Sequence, residues 1–205
     1  MNVFDGEPAG TQGAIMEATF HALCEHGYAN LTVERIGREF EKSPSLIYHH
    51  YGGKDELLVD FLAFVLDRFE EEFELGEYDD AHEHLRALLD QALAPSLGER
   101  RAEFVGAVAE LRAQAVHDRA YRDHFTRSNR LFHDRIAGVV RAGIDEGVFR
   151  EVPADQVAEL LVTTIDGAMT HRVTTDRDGA IRAVRAELDE YVRARLLCDE
   201  ALASE

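Results

Sequence analysis

TVERIGREFEKSPSLIYHHYGGK, residues 32–54, is the stretch of the sequence that decides the fold. It predicts two short helices joined by a tight turn, followed by the start of a further helix. Thr32 is a typical N-cap residue. Ser43 before Pro44 is a usual helix opening, because proline at the first helical position gives up no hydrogen bond. The Gly-Gly pair near the end of the stretch then breaks the second helix.

The same stretch is almost neutral inside a very acidic chain. Its four bases minus its three acids give a charge of +1, whereas the whole 205-residue chain carries −18. A negatively charged partner would explain this difference, because the phosphates of a nucleic acid repel carboxylates.

The overall composition indicates a protein adapted to concentrated salt. The chain has 40 Asp and Glu residues, and Lys42 and Lys54 are the only lysines among its 22 bases. Such an excess of acid is tolerated when salt screens the repulsion, since the Debye length falls to about 3 Å at 1 M. We therefore predict a halophilic source. The alternative is an ordinary acidic protein that lacks lysine by chance.

Several classes of protein are disfavoured by the sequence. Cys24 and Cys198 are the only cysteines, and neither has a partner at metal or redox spacing. The histidines His82 and His84 would point to different faces of a helix, so no metal site is expected. No cofactor motif or catalytic set is present, and no apolar run approaches the roughly 18 residues of a membrane span. We expect a cytoplasmic protein that is not an enzyme.

Apolar residues recur at helical spacing through most of the remaining chain. No alternating strand pattern of useful length occurs, so we predict an all-α fold of about nine helices. A small N-terminal bundle of three helices precedes a larger C-terminal bundle. Outside the opening stretch, the expected helices cover residues 11–27, 54–74, 82–94, 99–117, 120–146, 153–173 and 180–197.

The two short helices fit a helix-turn-helix unit, in which the N-terminal residues of the second helix meet base edges in the major groove. Side chains that face the groove must be polar or aromatic and must not be acidic. Lys54, at the start of the next helix, can hold a phosphate together with free backbone N–H groups. The alternatives are that Tyr48 is a core residue, that the histidines are structural, and that the pair is an ordinary part of a bundle.

Residues 13–62 resemble the N-terminal domain of TetR/AcrR-type transcriptional regulators. The resemblance rests on Gly27-Tyr28, Leu31-Thr32-Val33, Ile36-Gly37, Ser43, Ile47-Tyr48-His49-His50-Tyr51, Lys54 and Leu57-Leu58. The chain departs from the family pattern at Glu41-Lys42, where Gly-Val is usual, and at Gly53, where Ser is usual. The residues that the resemblance, with the groove argument, assigns to DNA binding are Thr32, Ser43, Pro44, Ser45, Tyr48, His49, His50 and Lys54.

The resemblance also implies a DNA-binding domain at 11–54 and a ligand-binding and dimerisation domain at 55–205. A helix from about 54 to 74 links the two domains. A homodimer interface is expected on the helices at about 155–173 and 180–197. The alternative for the candidate ligand-binding residues is that the apolar ones are core and the histidines are core or surface groups. These candidates are Phe104, Leu111, His117, His124, Phe125, Phe132, Ile165 and Met169.

The function implied is that of a ligand-responsive transcriptional regulator, most often a repressor. It would bind a palindromic double-stranded operator as a homodimer and would be released by a small-molecule effector. The alternative is a helical protein–protein interaction module that does not bind DNA.

Overall fold

The computed structural model describes residues 10–40, 45–74, 78–177 and 179–198 of the chain. The regular structure of these residues is helical and contains no strand, apart from one isolated bridge between Phe149 and Leu197. The prediction of an all-α fold with an N-terminal helix-turn-helix and a C-terminal helical bundle is confirmed. The helices are α1 Gly10–Asn30, α2 Val33–Glu39, α3 Ser45–His50, α4 Lys54–Glu74, α5 Ala81–Ala92, α6 Glu99–Gln114, α7 Arg119–Asp145, α8 Ala154–Thr174 and α9 Ala180–Tyr191.

The chain divides into two compact units. The first unit combines Met1–Gly76 with Gly98–Thr126, and the second combines Glu77–Leu97 with Arg127–Glu205. The segment 11–54 therefore lies inside a unit that also contains α4 and α6.

Apolar side chains from every helix of the first unit meet in one core. The helices α2 and α3 have only seven and six residues, too few to persist alone in water. Each is anchored by a fully buried isoleucine, Ile36 in α2 and Ile47 in α3. Burial of such a side chain contributes roughly 1.5–3 kcal/mol. The other fully buried anchors of this core include Ile15, Met16, Leu23, Leu57, Leu58, Phe61 and Leu111.

The backbone at the start of α2 follows the predicted capping by Thr32. Thr32 has an extended backbone, and its hydroxyl accepts a hydrogen bond from the Arg35 N–H at 3.2 Å. Helical geometry in α1 breaks at Gly27, whose φ of 66° and ψ of 165° are unfavourable for any residue with a Cβ. The predicted caps Ser43 and Pro44, and the Glu41-Lys42 turn, lie outside the described residues.

In the second unit, the Phe149 ring packs very closely against Gly143 of α7. An added Cβ at the buried Gly143 would lie 2.2 Å from the ring of Phe149, which is itself only 2% exposed. The Phe149 N–H donates to the Gly143 carbonyl at 2.8 Å and fixes the turn that follows α7. The ring therefore packs directly on the helix backbone, which only glycine allows.

The last helix differs from the predicted continuous helix at 180–197. It is α-helical to Tyr191 and then forms a π-helical turn, Val192–Leu196. The wider turn accompanies two hydrogen bonds to the segment after α7. The Arg150 N–H donates to the Leu196 carbonyl at 2.7 Å, and the Cys198 N–H donates to the Val148 carbonyl at 3.0 Å. These longer-range bonds were not visible in the helical periodicity.

We predict that Gly143→Ala destabilises the protein by about 1–3 kcal/mol, because the new methyl must displace the Phe149 ring from a packed site. Gly138→Ala in the same helix is the matched control. An added Cβ there meets no heavy atom of the described chain within 4 Å, and alanine favours the helix by about 0.5–1 kcal/mol. Denaturant unfolding of both variants measures the effect, and equal stability would contradict the packing argument.

We also predict that Thr32→Ala lowers stability by about 0.5–2 kcal/mol, because α2 loses the hydroxyl that accepts from the Arg35 N–H. Thr32→Ser keeps that acceptor and should retain most of the stability. Denaturant unfolding in the absence of DNA separates this capping role from any contact with a nucleic acid. A Thr32→Ser variant as unstable as Thr32→Ala would show that the cap is not the source of the effect.

Candidate nucleic-acid interface

Helix α3 presents a polar and aromatic surface to solvent. Ile47 is completely buried, whereas four of the predicted DNA-binding residues are exposed on the rest of the helix. Three of these, at positions 45, 48 and 49, share one face because they follow the i, i+3, i+4 pattern. Tyr48 is 53% exposed and is therefore not a core residue. The four exposed residues are Ser45, Tyr48, His49 and His50.

Tyr48 is oriented by a carboxylate that the sequence analysis did not assign to the site. Its hydroxyl donates to Glu34 Oε1 of α2 at 2.6 Å. This hydrogen bond lowers the pKa of Glu34 and raises the pKa of Tyr48. The sequence analysis counted Glu34 only as one of the three acids of residues 32–54. Its partner lies 14 residues away, beyond the reach of any local pattern.

Lys54, the first residue of α4, is held against the end of α1. Its Nζ donates to the Tyr28 carbonyl at 3.1 Å and lies 4.0 Å from the centre of the Tyr28 ring. The ammonium group has three donors, so one bond to a carbonyl leaves two donors for other partners. Thr32 is also exposed, but its hydroxyl already accepts the capping bond from Arg35.

Two tyrosines fix the acidic residue next to Lys54. The hydroxyls of Tyr28 and Tyr121 each donate to Asp55 Oδ1 at 3.0 Å. Tyr121 is 1% exposed, and its ring meets the Tyr28 ring edge-on at 6.5 Å between centroids. Burial, followed by the bond to Asp55, raises the pKa of Tyr28 to about 12. Both phenols therefore stay protonated and donate at neutral pH.

Two arginines of α2 add positive charge beside α3. Arg38 is exposed in the last turn of α2, and Arg35 donates from Nη1 to the Asn30 carbonyl at 2.6 Å. The sequence analysis counted both in the charge balance but assigned neither to the site. The surface around α2 and α3 therefore combines these cations with the exposed carboxylates Glu34 and Glu39 of the same helix and with the polar and aromatic groups of α3.

The predicted ligand-binding residues are divided between the two units. In the first unit Leu111 and Phe125 are buried core residues, and Phe104 packs on Phe20 with 5.8 Å between ring centroids. His117 lies in the segment after α6 and is exposed. The ring centroids of His124 and Phe125 are 5.2 Å apart. The remaining three are partly buried in the second unit and are Phe132, Ile165 and Met169.

The helices predicted for dimerisation, α8 and α9, are amphipathic, but part of their apolar surface is used within the chain. Ala158, Leu161 and Val162 are at most 8% exposed, so most of their surface packs within the chain. Leu160 is 45% exposed and lies on the opposite side of α8, where Gly167 is also exposed.

His84 of α5 is engaged by two other side chains. The His84 ring stacks on Tyr78 with 4.1 Å between centroids, and Arg135 donates to its Nε2 at 3.2 Å. Burial, followed by the Arg135 charge, lowers the pKa of His84. In the described ranges no group of three or more His, Cys, Asp or Glu side chains could hold a metal ion. Nor does any helix in that part of the chain have the length and apolarity of a membrane span.

Both parts of the chain match known protein families. Residues 15–61 match the bacterial regulatory proteins of the tetR family. Residues 81–197, more than half of the chain, match the C-terminal domain of BetI-type transcriptional repressors.

Full-length relatives agree with these matches. A crystal structure of a TetR transcription regulator from Haloarcula marismortui is 37% identical, with a TM-score of 0.82 over 90% of this chain and 97% of the other. The transcriptional repressor AcnR of Corynebacterium glutamicum is 24% identical over 95% of this chain and 100% of its own length. A transcriptional regulator of Saccharomonospora viridis in complex with choline is 24% identical, with a TM-score of 0.79 over 91% and 97% of the two chains. This chain belongs to the TetR family of transcriptional regulators and is not an enzyme.

Proposed function

We propose that this protein is a ligand-responsive repressor that binds a palindromic operator as a homodimer and is released by a small molecule. The observation that carries this proposal is the exposed surface of α3. Ser45, Tyr48 and His49 share a solvent-facing side of a short helix whose opposite side is anchored by the buried Ile47. Such an arrangement suits a recognition helix, which must enter the major groove without loosening from its own domain.

DNA binding would use two kinds of contact. Side chains of α3 would read base edges, with Tyr48 held in place by its bond to Glu34. Lys54 would bind a phosphate at the N-terminus of α4, where the helix dipole also favours an anion. The phosphate contacts fix the position of the protein on the duplex, and the base contacts supply its sequence preference.

The dimer would form through α8 and α9. The exposed side of α8, with Leu160 and Gly167, is available to a second copy. A twofold dimer places two α3 helices in symmetric positions, and a symmetric protein reads a palindromic site.

The effector would be a small molecule that favours a dimer geometry unable to bind the operator. Such an effector must bind one conformation more tightly than the other. Choline is the first compound to test, because the Saccharomonospora relative is in complex with choline and the C-terminal match is BetI-type.

The protein would act in a cytoplasm with a high salt concentration. Its charge of −18, with 40 acids and two lysines, suits a chain whose self-repulsion is screened. The 37% identity to a Haloarcula regulator supports the same conclusion. High salt also weakens phosphate contacts by counterion release, so the base contacts of α3 must carry much of the affinity.

We predict that the protein selects a specific duplex from a random-sequence DNA pool. Its affinity for that duplex is then measured by mobility shift across a KCl series. Combining Tyr48→Ala with Lys54→Ala should weaken binding about tenfold or more, because one base contact and one phosphate contact are lost. The matched control combines Tyr78→Ala with Arg119→Ala, an exposed tyrosine and an exposed arginine distant in sequence from α3.

Choline is added to the same complexes as the first effector. Release of the selected duplex by choline would identify the effector class. Binding that is indifferent to the Tyr48 and Lys54 substitutions would contradict the proposal and would favour a protein–protein interaction module.

We also predict that the thermal unfolding midpoint rises as KCl increases from low concentration to about 1 M, where the Debye length is about 3 Å. The reason is the screening of repulsion among surface carboxylates. Sucrose at equal osmolality is the control, since it favours compact states without screening charge. An equal response to sucrose and KCl would contradict an electrostatic origin.

A further inference from the structure

We propose that Glu110 of α6 is a positioning residue for DNA binding, which holds Lys54 in place through the backbone and ring of Tyr28. This inference rests on the proposed DNA-binding function and on the role of Lys54 as its phosphate contact. Glu110 is exposed and does not belong to the α3 surface. Its effect on DNA would pass through a chain of short contacts within the first unit.

The first contact joins α6 to the end of α1. Glu110 Oε2 accepts a hydrogen bond from the Tyr28 N–H at 2.7 Å, across 82 residues of sequence. The preceding residue, Gly27, has a φ of 66° and takes this amide out of the regular helical pattern. An added Cβ at Gly27 would lie 3.2 and 3.3 Å from the Glu110 carboxylate oxygens. The backbone at this position therefore fits closely against the carboxylate.

The second set of contacts joins Tyr28 to the start of α4. The Tyr28 carbonyl accepts from Lys54 Nζ at 3.1 Å, and the Tyr28 ring lies 4.0 Å from the same nitrogen. The Tyr28 hydroxyl donates to Asp55 Oδ1 at 3.0 Å. One residue thus uses its N–H toward α6, and its carbonyl, ring and hydroxyl toward α4.

This arrangement prepares Lys54 for a phosphate. A free lysine side chain has many rotamers, and it loses this freedom when it binds a fixed partner. The carbonyl and ring of Tyr28 restrict Lys54 before DNA arrives, and two of its three donors stay available. A side chain that is ordered in advance loses less entropy on binding. A lysine that is not held in this way samples other directions and does not keep its phosphate contact.

Glu110 is the support for this arrangement because it fixes the residue that holds the lysine. Without an acceptor for its N–H, the segment Gly27–Tyr28 loses the contact that fixes its backbone against α6, and the other contacts of Tyr28 then hold it less closely. The carbonyl and the ring would then no longer stay at the position that restricts Lys54. Since Leu111, the next residue of α6, is a fully buried core side chain, the backbone that carries Glu110 is itself well fixed.

The test measures operator affinity and its salt dependence for four single variants, each checked for folding by denaturant unfolding. Glu110→Ala should weaken binding to the selected duplex roughly threefold to tenfold. The negative slope of log K against log salt should become shallower by about 0.9, as for Lys54→Ala, because one phosphate contact is lost. Glu110→Gln keeps a carbonyl acceptor and should retain both affinity and slope. Glu103→Ala, an exposed carboxylate two turns away on the same helix, is the control for the removed charge.

A fifth variant, Glu110→Asp, keeps the charge but shortens the reach, and it should make the slope shallower as Glu110→Ala does. It also serves if the alanine variant does not fold. In a Lys54→Ala background, Glu110→Ala should have no further effect on binding.

Three results would overturn the assignment. The first is that Glu110→Ala lowers the affinity for the duplex as much in the Lys54→Ala background as in the unaltered protein. The second is that the salt slope is unchanged in Glu110→Ala and Glu110→Asp. The third is that Glu110→Gln binds the duplex as weakly as Glu110→Ala. If the unaltered protein selects no duplex at all, the proposed function itself fails, and the assignment of Glu110 fails with it.

Discussion

Burial of two isoleucines is the constraint on which the N-terminal part of the protein depends. The helices α2 and α3 are each shorter than two full turns, and helices of this length do not persist without tertiary contacts. Ile36 and Ile47 are both completely buried and tie these helices to the core formed with α1 and α4. Because the core fixes only the inner side of α3, the outer side is free to carry residues chosen for recognition.

The features that the sequence predicted well are those set by neighbouring residues. Thr32 could be recognised as a cap, and Leu57, Leu58 and Phe61 as one buried stripe of α4, because capping and helical periodicity act over a few residues. The boundaries of most helices followed from the same local signals. Family resemblance then supplied the function, which periodicity alone could not distinguish from that of any other helical bundle.

Contacts between distant parts of the chain could not be predicted in this way. The Glu34–Tyr48 bond spans 14 residues and the Glu110–Tyr28 bond spans 82, and both depend on how helices pack. Apolar spacing also fails to separate a core residue from a residue that lines a pocket, so the sequence left both roles open for Leu111, which is fully buried in the structure. The π-helical turn after Tyr191 depends likewise on bonds to another segment.

The contact between Gly27 and Glu110 has a consequence for the history of this sequence. A side chain at position 27 would meet the Glu110 carboxylate and would also require an unfavourable φ, so substitution of Gly27 is unfavourable. Position 110 can vary only among residues that still offer an acceptor to the Tyr28 N–H. The dependence therefore runs in one direction. A change at position 110 leaves the φ of Gly27 as unfavourable for other residues as before, whereas a change at position 27 that moves this backbone removes the reason for an acceptor at position 110.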